Sequence, residues 1–294
     1  MKIGDWVGCE DLNRVYREIQ DLGLESNLAE LEAFGFTVIE GAISPDTTRR
    51  ARDAVARSWE QRYGRKLDLE NETEHHNVEV ASYLLYEDPA FEECVLAPKP
   101  LALITYLLGY SCNLSSMTSH VKGPGDQALL LHSDTSNGVC APFAPYSHVA
   151  NTNYALTDYT EAGGCLAMVP GSHQVARQPL QWERGLVGNE RNPHAIPIEV
   201  PAGSAVVWHG NTWHGSFHRQ IPGVRINLAT HYCRQHIEPQ ELYRYNVPDE
   251  LLERYGPDSR MATLLGQHKF NGWAKEGPDM TRFRSMRAGA TWQS

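Results

Sequence analysis

His132 and Asp134 stand two residues apart at the end of the apolar run Leu129-Leu130-Leu131-His132-Ser133-Asp134. Successive side chains of a β-strand alternate between its faces, so this pair shares one face, and an imidazole and a carboxylate there can reach one metal ion. Such a pair alone also describes a surface histidine or a core histidine with a hydrogen-bond partner. Ala205-Val206-Val207-Trp208-His209 and Thr212-Trp213-His214-Gly215-Ser216 each offer a third donor at a strand edge. Two imidazoles and one carboxylate on one face, with the other face open, are a ligand set for non-haem Fe(II) that activates dioxygen. His209 and His214 compete for the third place, and the turn at Gly210-Asn211 between them argues against both pointing inward. Arg225 lies eleven residues beyond His214, in Val224-Arg225-Ile226-Asn227. Buried there, its guanidinium can clamp a carboxylate with two parallel hydrogen bonds, and Ser216 is placed to add a hydroxyl. Taken alone, Arg225 reads first as half of a surface ion pair.

These residues need strands to carry them. From about Asn113 the pattern is one of short apolar runs divided by Gly, Pro and Asn, which predicts strands near 113–121, 127–134, 152–158, 164–169, 195–200, 204–209, 214–219 and 225–233. Eight short strands with turns between them predict a jelly roll, a double-stranded β-helix in which a barrel closes most of its edges. No helical pattern alternates with them, which argues against a doubly wound parallel sheet. Before them comes a helical shell. The apolar strand Phe36 to Ile43 leads into Ser44-Pro45-Asp46, a hydroxyl cap with proline at the first helical position. Ala51, Val55, Trp59 and Tyr63 then form one apolar stripe, opposite a face bearing Arg49, Arg50, Arg52, Asp53 and Arg57. A second helix is predicted over Pro89 to Leu108, with Leu101, Ile104 and Leu108 on one side. The 294 residues therefore read as one domain: shell and first strand over 1–112, jelly-roll core over 113–235, and a C-terminal extension over 236–294. Two long loops, Thr135 to Ala150 and Gln174 to Pro193, have the length of lids or binding loops. From Arg260 the tail carries Lys269, Lys275, Arg282, Arg284 and Arg287 with Phe270, Trp273 and Trp292, a basic strap docked by its aromatics.

Composition narrows the partners. Hydrophobic residues make up 41% of the chain and charged residues 21%, enough apolar material for a core. A formal net charge of −10 and a pI near 5.7 argue against a nucleic acid or an anionic membrane, whose binding needs concentrated Lys and Arg, and favour a small-molecule substrate. The apolar stretch Leu101 to Leu108 is too short to cross a bilayer. The opening MKIGDWVGCEDLN has no basic region followed by an apolar run, so the expected compartment is the cytoplasm. Cys9, Cys94, Cys112, Cys140, Cys165 and Cys233 include no CxxC pair, which predicts free thiols.

Taken in order, His132, Asp134, His214 and Arg225 resemble the phytanoyl-CoA dioxygenase family of 2-oxoglutarate-dependent Fe(II) oxygenases. The resemblance extends to Ala155-Leu156-Thr157-Asp158, Gly163-Gly164-Cys165-Leu166 and Val169-Pro170-Gly171-Ser172-His173, similar to a strand–turn–strand segment of that family with its PGSH ending. It also includes Leu31 to Ile39 with the Ser44-Pro45 helix, and spans residues 30 to 235. It implies iron on His132, Asp134 and His214, and the distal carboxylate of 2-oxoglutarate on Arg225 with Ser216 assisting. Asn151 stands where related ectoine hydroxylases have a cosubstrate-touching Ser. His209 then becomes a supporting residue and His173 a loop-stabilising one.

The implied chemistry converts 2-oxoglutarate and O2 to succinate and CO2 while a substrate C–H bond is oxidised. Halogenating relatives replace the iron-binding carboxylate with a small residue; Asp134 fills that position, so hydroxylation is expected, with desaturation, ring closure and peroxide formation sharing the same centre. Gly138, Phe143, Tyr146, His148, Trp182 and Trp208 are the substrate-contact candidates. A CoA thioester would want a basic mouth, which the overall acidity disfavours. Two other readings use the same ligands: a Zn or Mn jelly-roll enzyme, in which Arg225 has no role, and a non-catalytic small-molecule binding barrel.

Overall fold

A computed structural model describes residues 9–74, 82–125, 128–268 and 275–277. Helices α1 (Cys9–Asp21) and α2 (Glu25–Phe34) precede strand β1 (Phe36–Ile39); α3 (Pro45–Tyr63), α4 (Pro89–Val95) and α5 (Pro98–Leu108) follow it. Then come β2 (Asn113–Lys122), β3 (Leu129–His132), β4 (Val149–Ala155), β5 (Leu166–Met168), β6 (Ile196–Ile198), β7 (Ala205–His209), β8 (His214–Ser216) and β9 (Arg225–Cys233). Helices α6 (Asp249–Tyr255) and α7 (Arg260–Leu264) come after them.

Helix α3 starts where its cap requires. The Ser44 hydroxyl accepts the Thr47 backbone N–H at 3.0 Å, satisfying one of the orphan donors of the first turn, and Pro45 occupies a position that needs no N–H. Ala51, Val55 and Trp59 are buried in the core as the stripe predicts. Tyr63 departs from it: the helix ends there, leaving the ring half-exposed and stacked on Trp59 at 4.7 Å between centroids. The polar face is tied down by ion pairs, Arg50 bridging Asp46 and Glu93 and Arg57 reaching Asp88. The single helix expected over Pro89 to Leu108 is two helices. Pro98 and Pro100 cannot donate backbone hydrogen bonds to the preceding turn, so the chain breaks at Leu96-Ala97 and restarts.

The strands form two antiparallel sheets of a jelly roll, with orders β1-β7-β4-β9-β2 and β3-β8-β5-β6. Each predicted strand is found, several of them shorter than expected, and β1 adds an edge to the larger sheet by pairing with β7. The outward residues of the larger sheet, among them Leu114, Met117 and Val121 of β2 and Ile226, Leu228 and Tyr232 of β9, share one apolar core with the helices. The alternate residues turn into the barrel and are mostly polar: Ser116, Thr118 and His120 of β2, Asn151 and Asn153 of β4, and Arg225, Asn227 and His231 of β9. A second apolar cluster, including Leu166, Met168, Val206, Trp213 and Phe217, packs under the smaller sheet. A strand with one apolar and one polar face, the polar one turned inward, marks a barrel built around a polar cavity.

Among the described residues no helix is long and apolar enough to cross a membrane. Cys94, Cys112, Cys140, Cys165 and Cys233 are free thiols. The side chain of Cys9 and the tail residues Lys269, Phe270, Trp273, Arg282, Arg284, Arg287 and Trp292 lie outside the described residues.

Candidate metal centre and its cavity

His132 ends β3 and His214 begins β8, and the antiparallel register sets the two Cα atoms opposite each other. Their rings stand 4.3 Å apart. In each imidazole Nδ1 lies against a backbone carbonyl two residues earlier, His132 at 2.9 Å from Leu130 O and His214 at 3.0 Å from Thr212 O. A carbonyl oxygen only accepts, so Nδ1 carries the proton and Nε2 keeps a lone pair. Both lone pairs face one carboxylate: His132 Nε2 is 3.7 Å from Asp134 Oδ1 and His214 Nε2 is 3.4 Å from Asp134 Oδ2. The three ligand atoms lie within 4.8 Å of one another, the spacing of groups that share one metal ion. Such orientation of a ligating histidine by its second nitrogen is what metal sites use to fix tautomer and ring angle. The donor set therefore fits a divalent metal.

Asp134 is steered in turn. Its Oδ2 accepts the Asn151 amide at 2.6 Å and the Trp208 indole N–H at 3.4 Å. Burial alone would raise its pKa, but His214, His132 and His231, with the Trp208 N–H, outweigh this and hold the carboxyl below the usual range. Asn151, expected from sequence beside a cosubstrate, here orients the Asp134 carboxylate.

The triad opens onto a cavity of about 260 Å³ between the sheets. At its other end stand Ser216 and Arg225, which is 2% exposed, with its guanidinium over the Tyr159 ring at 5.2 Å. Arg225 Nε and one terminal nitrogen, Nη1, are buried without a hydrogen-bond partner. A buried guanidinium with open donors is costly, and donors of this kind can receive an anion.

Residues 31–225 match the sequence model of the phytanoyl-CoA dioxygenase family (PhyH). The chain belongs to this family. Fe(II) and 2-oxoglutarate are the cofactors of phytanoyl-CoA dioxygenases, and the His132–Asp134–His214 triad suits that metal. Over 251 residues the chain is 28% identical to dioxygenase af480 of Aspergillus fumigatus, covering 83% of this chain and 78% of that one. HygX of Streptomyces hygroscopicus, solved with nickel and 2-oxoglutarate bound, superposes with a TM-score of 0.60 at 17% identity, covering 73% of this chain and 88% of HygX. SnoK, a non-haem α-ketoglutarate-dependent carbocyclase from nogalamycin biosynthesis, gives 0.56 at 21% identity, covering 80% of this chain and 92% of that one.

Within this phytanoyl-CoA dioxygenase fold the competition between His209 and His214 has a structural outcome. His209 ends β7, its Nδ1 accepts the Asn211 N–H at 3.0 Å, and its ring faces His173 rather than Asp134. Of the substrate-contact candidates Trp208 reaches the cavity wall. Gly138 follows Asn137, which lines it. Phe143 is buried, with its N–H on Ala176 O; Tyr146 is exposed beside His148 and Arg234; Trp182 is 77% exposed. These three lie off the cavity because their loops are held elsewhere. The Arg177–Glu183 ion pair at 2.6 Å braces the turn that carries Trp182, and Arg234 bonds to Ser147 O at 2.6 Å beside Tyr146. Sequence reading passed over Lys122, His120, Asn227, His231 and Gln240, which the cavity recruits or abuts. The positions of the first four follow from the pairing of β2 with β9, a long-range register with no local signature, while Gln240 follows β9 and accepts the Ser116 hydroxyl at 2.7 Å.

Two expected results follow from this geometry. A Cβ added at Gly215, between His214 and Ser216, would lie 2.2 Å from Leu129 O. Gly215→Ala must therefore push β3 off β8, costing about 1–3 kcal/mol in a denaturant melt and weakening metal binding as His132 withdraws from His214. Unchanged stability and metal affinity would show that the pairing does not hold the triad.

The second concerns acid. Burial pushes His120 down to about 3, with help from the Arg225 and Lys122 charges, and burial with the His173 charge pushes His209 down to about 4. Unfolded histidines titrate near 6.5, so below that pH the unfolded chain takes up protons that the folded one refuses. Stability of the metal-free protein should thus fall as pH drops from 7 towards 4, by up to about 1.4 kcal/mol per pH unit for each such imidazole. Urea midpoints at pH 7 and pH 5 measure this, and equal midpoints would contradict neutral buried rings.

Proposed function

We propose that this chain is a dioxygenase dependent on Fe(II) and 2-oxoglutarate that hydroxylates a C–H bond of a small organic molecule. One observation carries the reading: a single cavity has the His132–Asp134–His214 triad at one end and the open donors of buried Arg225 at the other. A hydrolytic zinc or manganese enzyme has no use for that guanidinium.

His132, Asp134 and His214 would hold the metal, their donor atoms already turned towards one another. With 2-oxoglutarate and O2 the bound iron supplies oxidising power for a substrate C–H bond, releasing succinate and CO2. Arg225 and Ser216 bind and orient the distal carboxylate of the cosubstrate. Asn151 and Trp208 fix the Asp134 carboxylate, and Trp208 also offers the substrate an aromatic wall. Asp134 occupies the place a halide would need, which supports hydroxylation over halogenation. The helices before β2 serve as a shell that excludes water from the barrel, and the chain works as one catalytic domain with residues 113–235 as its core. HygX has also been solved with hygromycin B bound, which supports a small-molecule substrate.

The test is anaerobic visible spectroscopy of metal-stripped protein titrated with Fe(II) and then 2-oxoglutarate. A weak charge-transfer band is expected only after both additions, and not in His214→Ala. Folded, metal-loaded protein without the band would overturn the reading; with the band in hand, succinate release identifies substrates.

A further inference from the structure

We propose that Lys122 is a positioning residue for the cosubstrate: its ammonium holds the Ser216 hydroxyl so that the hydroxyl's own proton is presented to the distal carboxylate beside Arg225. This rests on the reading of the cavity as a 2-oxoglutarate site.

Lys122 ends β2 and pairs directly with Arg225 at the start of β9, so two cations stand side by side where the cavity ends. The Lys122 side chain is fully buried. Its Nζ donates to Ser216 Oγ at 2.9 Å and also to Phe217 O. An ammonium has three donors and no acceptor, so Ser216 Oγ must be the acceptor in this bond. The serine proton is thereby turned away from Lys122, and Ser216 is itself a wall of the cavity that Arg225 lines.

Gly164 has its explanation here too. Gly164 adopts φ +79°, and a Cβ on it would come within 3.1 Å of Lys122 Cδ and 3.0 Å of Phe217 O. The turn before β5 is stripped of side chains where the buried lysine stem passes.

The experiment compares Lys122→Met, Ser216→Ala and the double variant in the full chain. The readouts are the 2-oxoglutarate dependence of succinate release and of the charge-transfer band, with Fe(II) affinity measured alongside. Each single variant should raise the 2-oxoglutarate requirement about tenfold, the loss of one hydrogen bond to a charged group, with kcat at saturation and Fe(II) affinity nearly unchanged. Because Lys122 acts through Ser216, the double variant should be no worse than Ser216→Ala. Multiplying effects, or an Fe(II) affinity that falls in parallel, would overturn the proposal in favour of a structural strap. Should Lys122→Met not fold, Ser216→Ala decides alone: an unchanged 2-oxoglutarate requirement overturns the proposal. Wild-type protein that loads Fe(II) but shows no 2-oxoglutarate-dependent band would instead refute the cosubstrate site itself, a result separate from any of these.

Discussion

In Asp134→Ala, substrate oxidation should collapse, by more than the roughly 100-fold that loss of an outer hydrogen-bond partner of a metal ligand costs. The substitution removes the only carboxylate of the triad and leaves two imidazoles whose lone pairs converge on an empty corner. It also strands the Asn151 amide and the Trp208 indole N–H, both of which now donate to Oδ2. Succinate formation at saturating 2-oxoglutarate and substrate is the readout, with Fe(II) binding followed in parallel. Loss of both assigns Asp134 to the metal. Normal turnover would rule out the triad.

The second large effect is on the cosubstrate. Arg225→Gln should raise the 2-oxoglutarate requirement about thirtyfold or more, the 2 kcal/mol lower bound for breaking a buried charge pair, while that of the organic substrate changes far less. The same variant should be no less stable than the wild type when free of cosubstrate, because it removes a buried charge with two unpartnered nitrogens. Saturating the wild type with Fe(II) and 2-oxoglutarate should then raise its melting temperature, since a ligand that binds only the folded state stabilises it, and this gain should shrink in the variant. An unchanged 2-oxoglutarate requirement would remove Arg225 from the site. Such a pairing of function with local instability is expected where a protein keeps open donors for its ligand.

Much of this was legible locally. His132 and Asp134 lie close enough in the chain to meet, although the expected strand stops at His132 and Asp134 opens a 3-10 turn rather than alternating along β3; Ser44-Pro45 is enough to start α3, because capping depends on neighbours in the chain. The break between α4 and α5 was equally local, written in Pro98 and Pro100. Exposure of the aromatic candidates is not a local property: Trp182 and Trp208 are the same residue type, one open to solvent and the other on the cavity wall.

What the amino-acid order determined by itself is the alternation of short strands, the cap and breaks of the helices, and the presence of a histidine–carboxylate pair with two further histidines and an arginine downstream. What only the tertiary structure decided is which of them meet. His214 rather than His209 joins the triad because β8 pairs with β3 in a register that sets His214 against His132, while the turn at Gly210-Asn211 leaves His209 facing His173. Lys122 reaches Ser216 because β2 lies beside β9 and the glycine turn leaves room for its stem. A one-residue slip in any of these pairings would turn the same side chains to the opposite face, so the site belongs to the register, and register is settled by the whole packed barrel.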